Sequence, residues 1–508
     1  MLGILVTLVP AAVSAEPSAS AFTFDSVLQK AQALAAKPYQ APAAIPDYLT
    51  SVDYDQYQKI RFHPEQSLWR DDQSRFQVML IAPGEYFRYP VQVDTVSAAG
   101  VHPVAFNKGW FTWPSQQLES KVPKDLGYAG FKLTFPLNQR GAHNQFLVFA
   151  GASYFRGVAR DQTFGLSARG IAINTGLPGG EEFPNFTHFW LVHPGADAPS
   201  MDLYALLDGP SLTGAYRFAI VPGEPTRIEV HARLFVRKDI SLLGTAPLTS
   251  MFYYGANTPR PSGEWRPAVH DSGGLLLHSA SGEWLWRPLT NPLTLQLSYF
   301  EASSPEGFGL LQRTTRFDAY EDAGARYDKR PSAWVVPHGD WGKGSVVLVE
   351  IPSNSETDDN IVAFWSPTAK TKAGAHYDID YTLNLGDADI ANEPMAHAIA
   401  TFVGSVKPLP GSKSQHAYRL VVDFAGGPLR HVGAGNPVTA VVTGVEGTQV
   451  LSYNVEWVAP NNHWRLSLVA TPATGKPLDL RAFLKSGKQT LSETWTYALP
   501  AKNRIQGG

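Results

Sequence analysis

Cysteine is absent from this 508-residue chain. That one absence removes disulfide frameworks, thiolate metal sites and cysteine nucleophiles. Charge is sparse too. Asp, Glu, Lys and Arg make up 17 % of residues and balance to −3, so no field exists to draw in nucleic acid and no basic stripe stands out. The 14 histidines form no H-x-H or H-E-x-x-H arrangement, and neither Gly-x-Ser-x-Gly nor a phosphate-binding glycine loop occurs. No metal and no cofactor is expected. Long apolar runs are also missing beyond residues 1–15, MLGILVTLVPAAVSA. That run falls short of the roughly 20 residues a membrane-spanning helix needs, and it ends in the small-residue pattern Val13-Ser14-Ala15. It reads as an export signal cleaved near 15/16, although no Lys or Arg precedes Lys30. The expectation is an exported chain with no stable membrane insertion.

What is present is a long series of strands. Residues 23–38 read as one amphipathic helix, with Asp25 or Ser26 as N-cap, Val27, Leu28, Ala31 and Leu34 on one side and Pro38 as the stop. After it the period is two: RFQVMLIAP, PVQVDTV, FKLTFPL, QFLVFAG, FWLVHP, YRFAIVP, RIEVHARLFV, LTLQLSYF and SVVLVEIP alternate or run apolar between Gly, Pro and Asn. So many strands without helical patterns between them predict a mainly β chain, an antiparallel β-sandwich spanning 22–385. Residues 386–397 are polar and punctuated, which predicts a linker. From 398 to 505 six or seven short strands follow, the count and spacing of an immunoglobulin-like sandwich.

Three constellations carry chemistry. In Gly282-Glu283-Trp284-Leu285-Trp286-Arg287-Pro288, strand alternation puts Trp284 and Trp286 on one face and Arg287 on the other. The indoles read either as core or as a platform for the C–H faces of sugar rings. In Val269-His270-Asp271-Ser272-Gly273-Gly274 the acid reads as an ordinary turn residue capping backbone N–H groups, or as a carboxylate held at a sandwich mouth near Trp265. The loop Glu350 to Trp365 contains Glu356, Asp358, Asp359 and Asn360. It lacks the spacing of an EF-hand, so calcium ranks low, and crowded carboxylates raise one another's pKa, as a general acid requires. Tyr154-Phe155-Arg156, Arg169 and Glu181-Glu182-Phe183 supply further polar groups for sugar hydroxyls, or simple Arg–Glu pairs.

Twelve runs, among them KDLGYAGFKL, GASYFRGVAR, FGLSARGIAI, GEEFPNFTHFW, HDSGGL, GEWLWRPL, WGKGSVVLVEIP, ETDDNIVAFW and LSETWTYALP, together make the chain resemble the periplasmic glucan biosynthesis protein family from about residue 22 onward. The resemblance implies a large sandwich of the galactose-mutarotase type, an immunoglobulin-like second unit, a periplasmic location and work on β-1,2-linked glucan. By the same resemblance Asp359 matches a general acid and Asp271 a general base of an inverting glycoside hydrolase, with Glu356 supporting Asp359. Asp358 stands where an Asn is expected, so the adjacent acid competes for the donor role. Inverting carboxyls lie about 6.5–9.5 Å apart, or further where a proton relay intervenes. Trp284, Trp286, Arg287, Arg169, Tyr154 and Trp265 are the expected substrate-binding residues. Two other readings remain: a non-catalytic glucan-binding scaffold that assists an inner-membrane glucan synthase, and, less well supported, a polysaccharide lyase, which needs a basic cleft.

Overall fold

The computed structural model describes residues 22–406, 417–433 and 435–505. The expected export signal lies outside them. Nearly half the chain is strand, 47 % against 11 % helix, as the period-two pattern predicts. A 10-stranded and a 15-stranded sheet form the main sandwich, and a four-stranded sheet follows near the C-terminus.

The strand Thr226–Val236 shows why these residues become sheet. Ile228, Val230, Ala232 and Leu234 are buried while Glu229, His231 and Arg233 alternate with them at intermediate exposure. Burying each such aliphatic side chain contributes about 1.5–3 kcal/mol, so a one-residue slip of register would lose the whole set. The strand pairs over ten residues with each of its neighbours, Leu212–Val221 and His376–Gly386. The two sheets meet through aromatic rings. Phe149 and Phe155 of the smaller sheet lie 5.2 and 5.3 Å from Phe218 of the larger, and Phe131 lies 5.1 Å from Phe189.

The predicted N-terminal helix runs Phe24–Ala35, with Val27 and Ala31 buried. Its cap is Thr23 rather than Asp25 or Ser26: the Ser26 hydroxyl sits one turn in and accepts the Thr23 N–H at 3.2 Å. That reciprocal arrangement starts the helix two or three residues earlier than the expected caps do.

Past the 3₁₀ turn Ala388–Ala391, the chain forms the four-stranded sheet from His397–Val406, Ala417–Ala425, His463–Thr471 and Gln449–Val458. Three further strands, Thr439–Val445, Leu478–Ser486 and Thr494–Leu499, extend the 15-stranded sheet. They attach by a parallel pairing of Thr494–Leu499 with Trp284–Pro288. A second core fills this region, with Leu420, Leu466, Leu480 and Trp495 joined by Trp284, Trp286 and Trp334.

Candidate active site

The smaller sheet places Tyr154–Gly157, Ser167–Arg169, Leu243–Ser250 and Ile361–Pro367 side by side. Phe155, Ala168 and Leu248 point into the core. Alternation therefore turns Tyr154, Arg156, Arg169 and Thr249 to the opposite face. Tyr154 and Arg169 are register partners, with the guanidinium 4.7 Å from the ring centroid. Arg169 also donates to Thr249 Oγ1 at 2.7 Å and pairs with Glu181. On the same strand as Tyr154, Arg156 Nη2 reaches Asp359 Oδ2 at 3.2 Å.

Both predicted acids lie at one end of two adjacent strands. Ser250 and Ile361 are register partners, Asp359 lies two residues before Ile361, and the Asp271 N–H donates to the Met251 carbonyl at 2.9 Å, one residue past Ser250. Ser250 Oγ donates to Ser272 Oγ at 2.8 Å, and Gly273 N–H to the Leu311 carbonyl at 2.8 Å. The Asp271 turn is thus tied to two neighbouring strands.

The ordinary turn reading does not describe its carboxylate, because Asp271 Oδ1 is buried and accepts no hydrogen bond. Arg330 Nε stands 3.5 Å from that oxygen. Gly165 makes room for Arg330, since a Cβ there would meet its Cδ at 2.9 Å. Burial pushes the Asp271 pKa up to about 6; Arg330 opposes the rise, the charges of Asp359 and Glu356 add to it, and Arg156 works against them. The neighbouring His270 imidazole is driven down to about 4 by burial, with the Gln312 side-chain amide acting against the fall. It is neutral at neutral pH.

Glu356 binds on the Asp271 side of this arrangement. Its Oε2 accepts from Arg266 Nη1 and from the Tyr327 hydroxyl, each at 2.6 Å, and the Tyr327 ring lies 5.3 Å from the Arg330 guanidinium. Arg266 is fixed in turn by Glu264, at 2.9 and 2.8 Å, and by Asp322 at 3.0 Å. Hydrogen bonding to Arg266 holds the Glu264 carboxyl down to about 2. Next to it the Trp265 indole is 64 % exposed, open to a flat ligand face. Asp358 is occupied locally, accepting from Ser353 Oγ at 2.8 Å.

Asn360 holds the acidic loop in register. Its Oδ1 accepts from Phe252 N–H at 2.8 Å and its Nδ2 donates to the Phe252 and Ile351 carbonyls at 3.0 Å. Asn360→Ala is expected to destabilise the fold by about 2–3 kcal/mol, because two backbone carbonyls and an N–H lose a buried partner. Urea unfolding reads this directly, and a change below about 0.5 kcal/mol would mean that the loop is held by other contacts.

The chain matches the family model described as "Periplasmic glucan biosynthesis protein, MdoG" over residues 22–499. It belongs to that family. It is 41 % identical over 488 residues to "Glucans biosynthesis protein G" of Dickeya dadantii (strain 3937), covering 95 % of this chain and 94 % of that one. The proteins of the same name from Sodalis glossinidius (strain morsitans) and Pseudomonas paraeruginosa (strain DSM 24068 / PA7) are each 42 % identical, over 95 % of this chain and 94 % and 93 % of theirs. Among the described residues no helix is long and apolar enough to cross a membrane.

In this member of the family the predicted site residues fall into two groups. Asp271, Asp359, Glu356, Tyr154, Arg169 and Trp265 belong to the arrangement just described. Trp284 and Trp286 are packed instead into the second core, 8 % and 4 % exposed. Trp284 stacks on His278 at 4.0 Å, and Trp286 carries the Arg313 guanidinium at 3.7 Å. Arg287 is buried as well, and its charge acts on the interior carboxyls of Glu350 and Asp479. Arg266, Arg330 and Tyr327 were not singled out from the sequence. Each sits in a loop whose meaning depends on partners 29 to 90 positions away.

Proposed function

We propose that this protein works in the periplasm on β-1,2-linked glucan as an inverting glycoside hydrolase, with Asp359 as general acid and Asp271 as general base. The observation that carries the reading is the placing of both carboxylates at the same end of two paired strands, with one of them buried and shifted. A base must be ionised yet retain proton affinity, and Asp271, raised by burial to about 6, meets both demands at neutral pH. Asp359 is open to solvent, its side chain 35 % exposed, so a glycosidic oxygen can reach it. Its contact with Arg156 is a single exposed bond that an incoming sugar hydroxyl can replace. In the inverting scheme the acid protonates the leaving glycosidic oxygen while the base takes the proton of water attacking the opposite ring face. Trp265 offers a stacking face and Tyr154 a hydroxyl to hold the chain, with the buried Arg169 guanidinium fixing the Tyr154 ring. The β-1,2 linkage is what the family resemblance implies.

Incubation with linear β-1,2-glucan tests the reading. Shorter chains whose new reducing ends first appear as the α-anomer support it. Tight binding with no shortening supports the scaffold instead. The pH profile separates the two roles. With Asp271 as base, activity should fall as pH drops through about 6, roughly tenfold per pH unit below it, because protonation removes the reactive form. An aspartate at its ordinary value would keep activity down to about pH 4. A loss of activity as pH rises through 6 would instead make Asp271 the acid.

A further inference from the structure

A cavity of about 840 Å³ opens at the end of the smaller sheet, remote in sequence from the acidic loop. It lies between the segment leading into the edge strand Gln77–Ile81 and the connection from Gly130–Phe135 to Asn144–Ala150. Four arginines line it, Arg70, Arg75, Arg140 and Arg160, against one carboxylate, Asp197. Among the described residues none of the four guanidinium groups forms a salt bridge with a carboxylate, although the Arg160 charge acts on Glu224, outside the cavity lining. Arginines deeper in the fold are neutralised, as Arg169, Arg237, Arg266 and Arg313 are. Arg75 is held in place, its guanidinium 4.4 Å from the Phe135 ring and its backbone N–H bonded to Ala196 at 3.1 Å. The Asp161 N–H bonds to Asn138 Oδ1 at 3.1 Å, which fixes the Arg160 loop to the opposite rim.

Unpaired like charges around one concavity repel one another, and an anion between them removes that repulsion. A single carboxylate is satisfied by one guanidinium fork. Four forks suit a group with three oxygens and up to two charges, which is a phosphate ester. The shape excludes a flat lipid surface as the natural occupant: the volume is that of a small-molecule pocket, and none of the large hydrophobic side chains exposed among the described residues lines it. Its position relates it to the acidic site. The strand that presents Arg156 to Asp359 ends at Gly157, and the turn after it carries Arg160 four residues on from Arg156, a reach of at most about 14 Å.

We propose that this cavity binds a phosphate ester carried on a sugar, so that the protein recognises a charged saccharide as well as a neutral chain. The site does not depend on the cleavage reading and is tested by binding alone. Titration calorimetry of the full chain at low salt should show glucose 6-phosphate binding saturably, glucose not at all, and glucuronate more weakly than the phosphate. Arg140→Gln/Arg160→Gln removes two exposed guanidinium groups and should weaken glucose 6-phosphate binding about tenfold or more. Arg61→Gln/Arg419→Gln makes the same change in net charge elsewhere and should leave binding intact. Circular dichroism of each variant confirms the fold. The proposal is overturned by no saturable binding at millimolar glucose 6-phosphate, by equal loss in both double variants, or by binding only to phosphatidylglycerol vesicles. Glucan shortening is measured separately, so its absence would count against the hydrolase reading and not against this one.

Discussion

Asp359→Asn is expected to lower glucan cleavage by about 10²–10⁴-fold, the usual contribution of a positioned acid or base, while folding and glucan binding persist. The side chain makes one hydrogen bond, to Arg156, and is 35 % exposed, so the fold does not rest on it. Asparagine keeps the shape and the contact to Arg156 but has no proton to give. Rates of chain shortening, set beside direct binding of the same glucan, separate lost chemistry from lost recognition. Unchanged turnover would remove Asp359 from the mechanism. Asp358 would then be the remaining neighbour, yet its Oδ2 is already engaged by Ser353, so Asp358→Asn is the companion variant and should retain most activity.

Strand periodicity carried the fold, because a sheet that buries one face writes its register into alternate residues, as Ile228 to Leu234 show. A turn and a cluster of acids drew attention to Asp271 and Asp359, while their catalytic roles came only from the family resemblance. The tryptophans are harder, and the reason is visible in two near-copies of one motif. Gly263-Glu264-Trp265-Arg266-Pro267 and Gly282-Glu283-Trp284-Leu285-Trp286-Arg287-Pro288 present the same residue types. In the first, Trp265 is open to solvent and Arg266 reaches Glu356. In the second, the strand is covered by the C-terminal region, with Glu283 tied to Arg481 and Thr494 and Trp286 closed over Gly274. Only the parallel pairing with Thr494–Leu499, some 200 positions later, decides which copy is exposed. Indoles beside a Gly-Glu turn are therefore legible as important but not as core or surface. Arg330 escapes for a similar reason: its partner Asp271 lies on a different loop.

That covering region has an ionic lock whose disruption gives the largest expected loss of stability. Arg313 is 9 % exposed on its side chain and donates to Glu493 at 2.6 and 2.8 Å, to Glu393 at 3.0 Å and to the Ala398 carbonyl at 3.2 Å. Glu493 also accepts the Ala398 N–H at 2.7 Å. One cation thus faces two carboxylates, 3 % and 0 % exposed. Burial, reinforced by the charge of Glu493, raises the Glu393 carboxyl far above the usual carboxylate range, so the lock is an Arg–Glu493 ion pair with a neutral Glu393 beside it. Arg313→Met should therefore destabilise the protein by about 3–5 kcal/mol, the effect of stranding a buried charge, read as a fall in the urea midpoint. Glu393→Gln should stabilise the protein at neutral pH, because the unfolded wild-type carboxyl is ionised there and must take up a proton on folding, which an amide need not. The sign of the pH effect follows. A carboxyl whose folded pKa is raised favours the folded state at acid pH and loses that contribution as pH climbs through the folded value. Wild type should accordingly lose stability from about pH 4.3, the ordinary carboxyl value, upward, and Glu393→Gln should flatten that decline. If Glu393→Gln proves as damaging at pH 7 as Arg313→Met, Glu393 is ionised in the fold and the lock holds two charges rather than one.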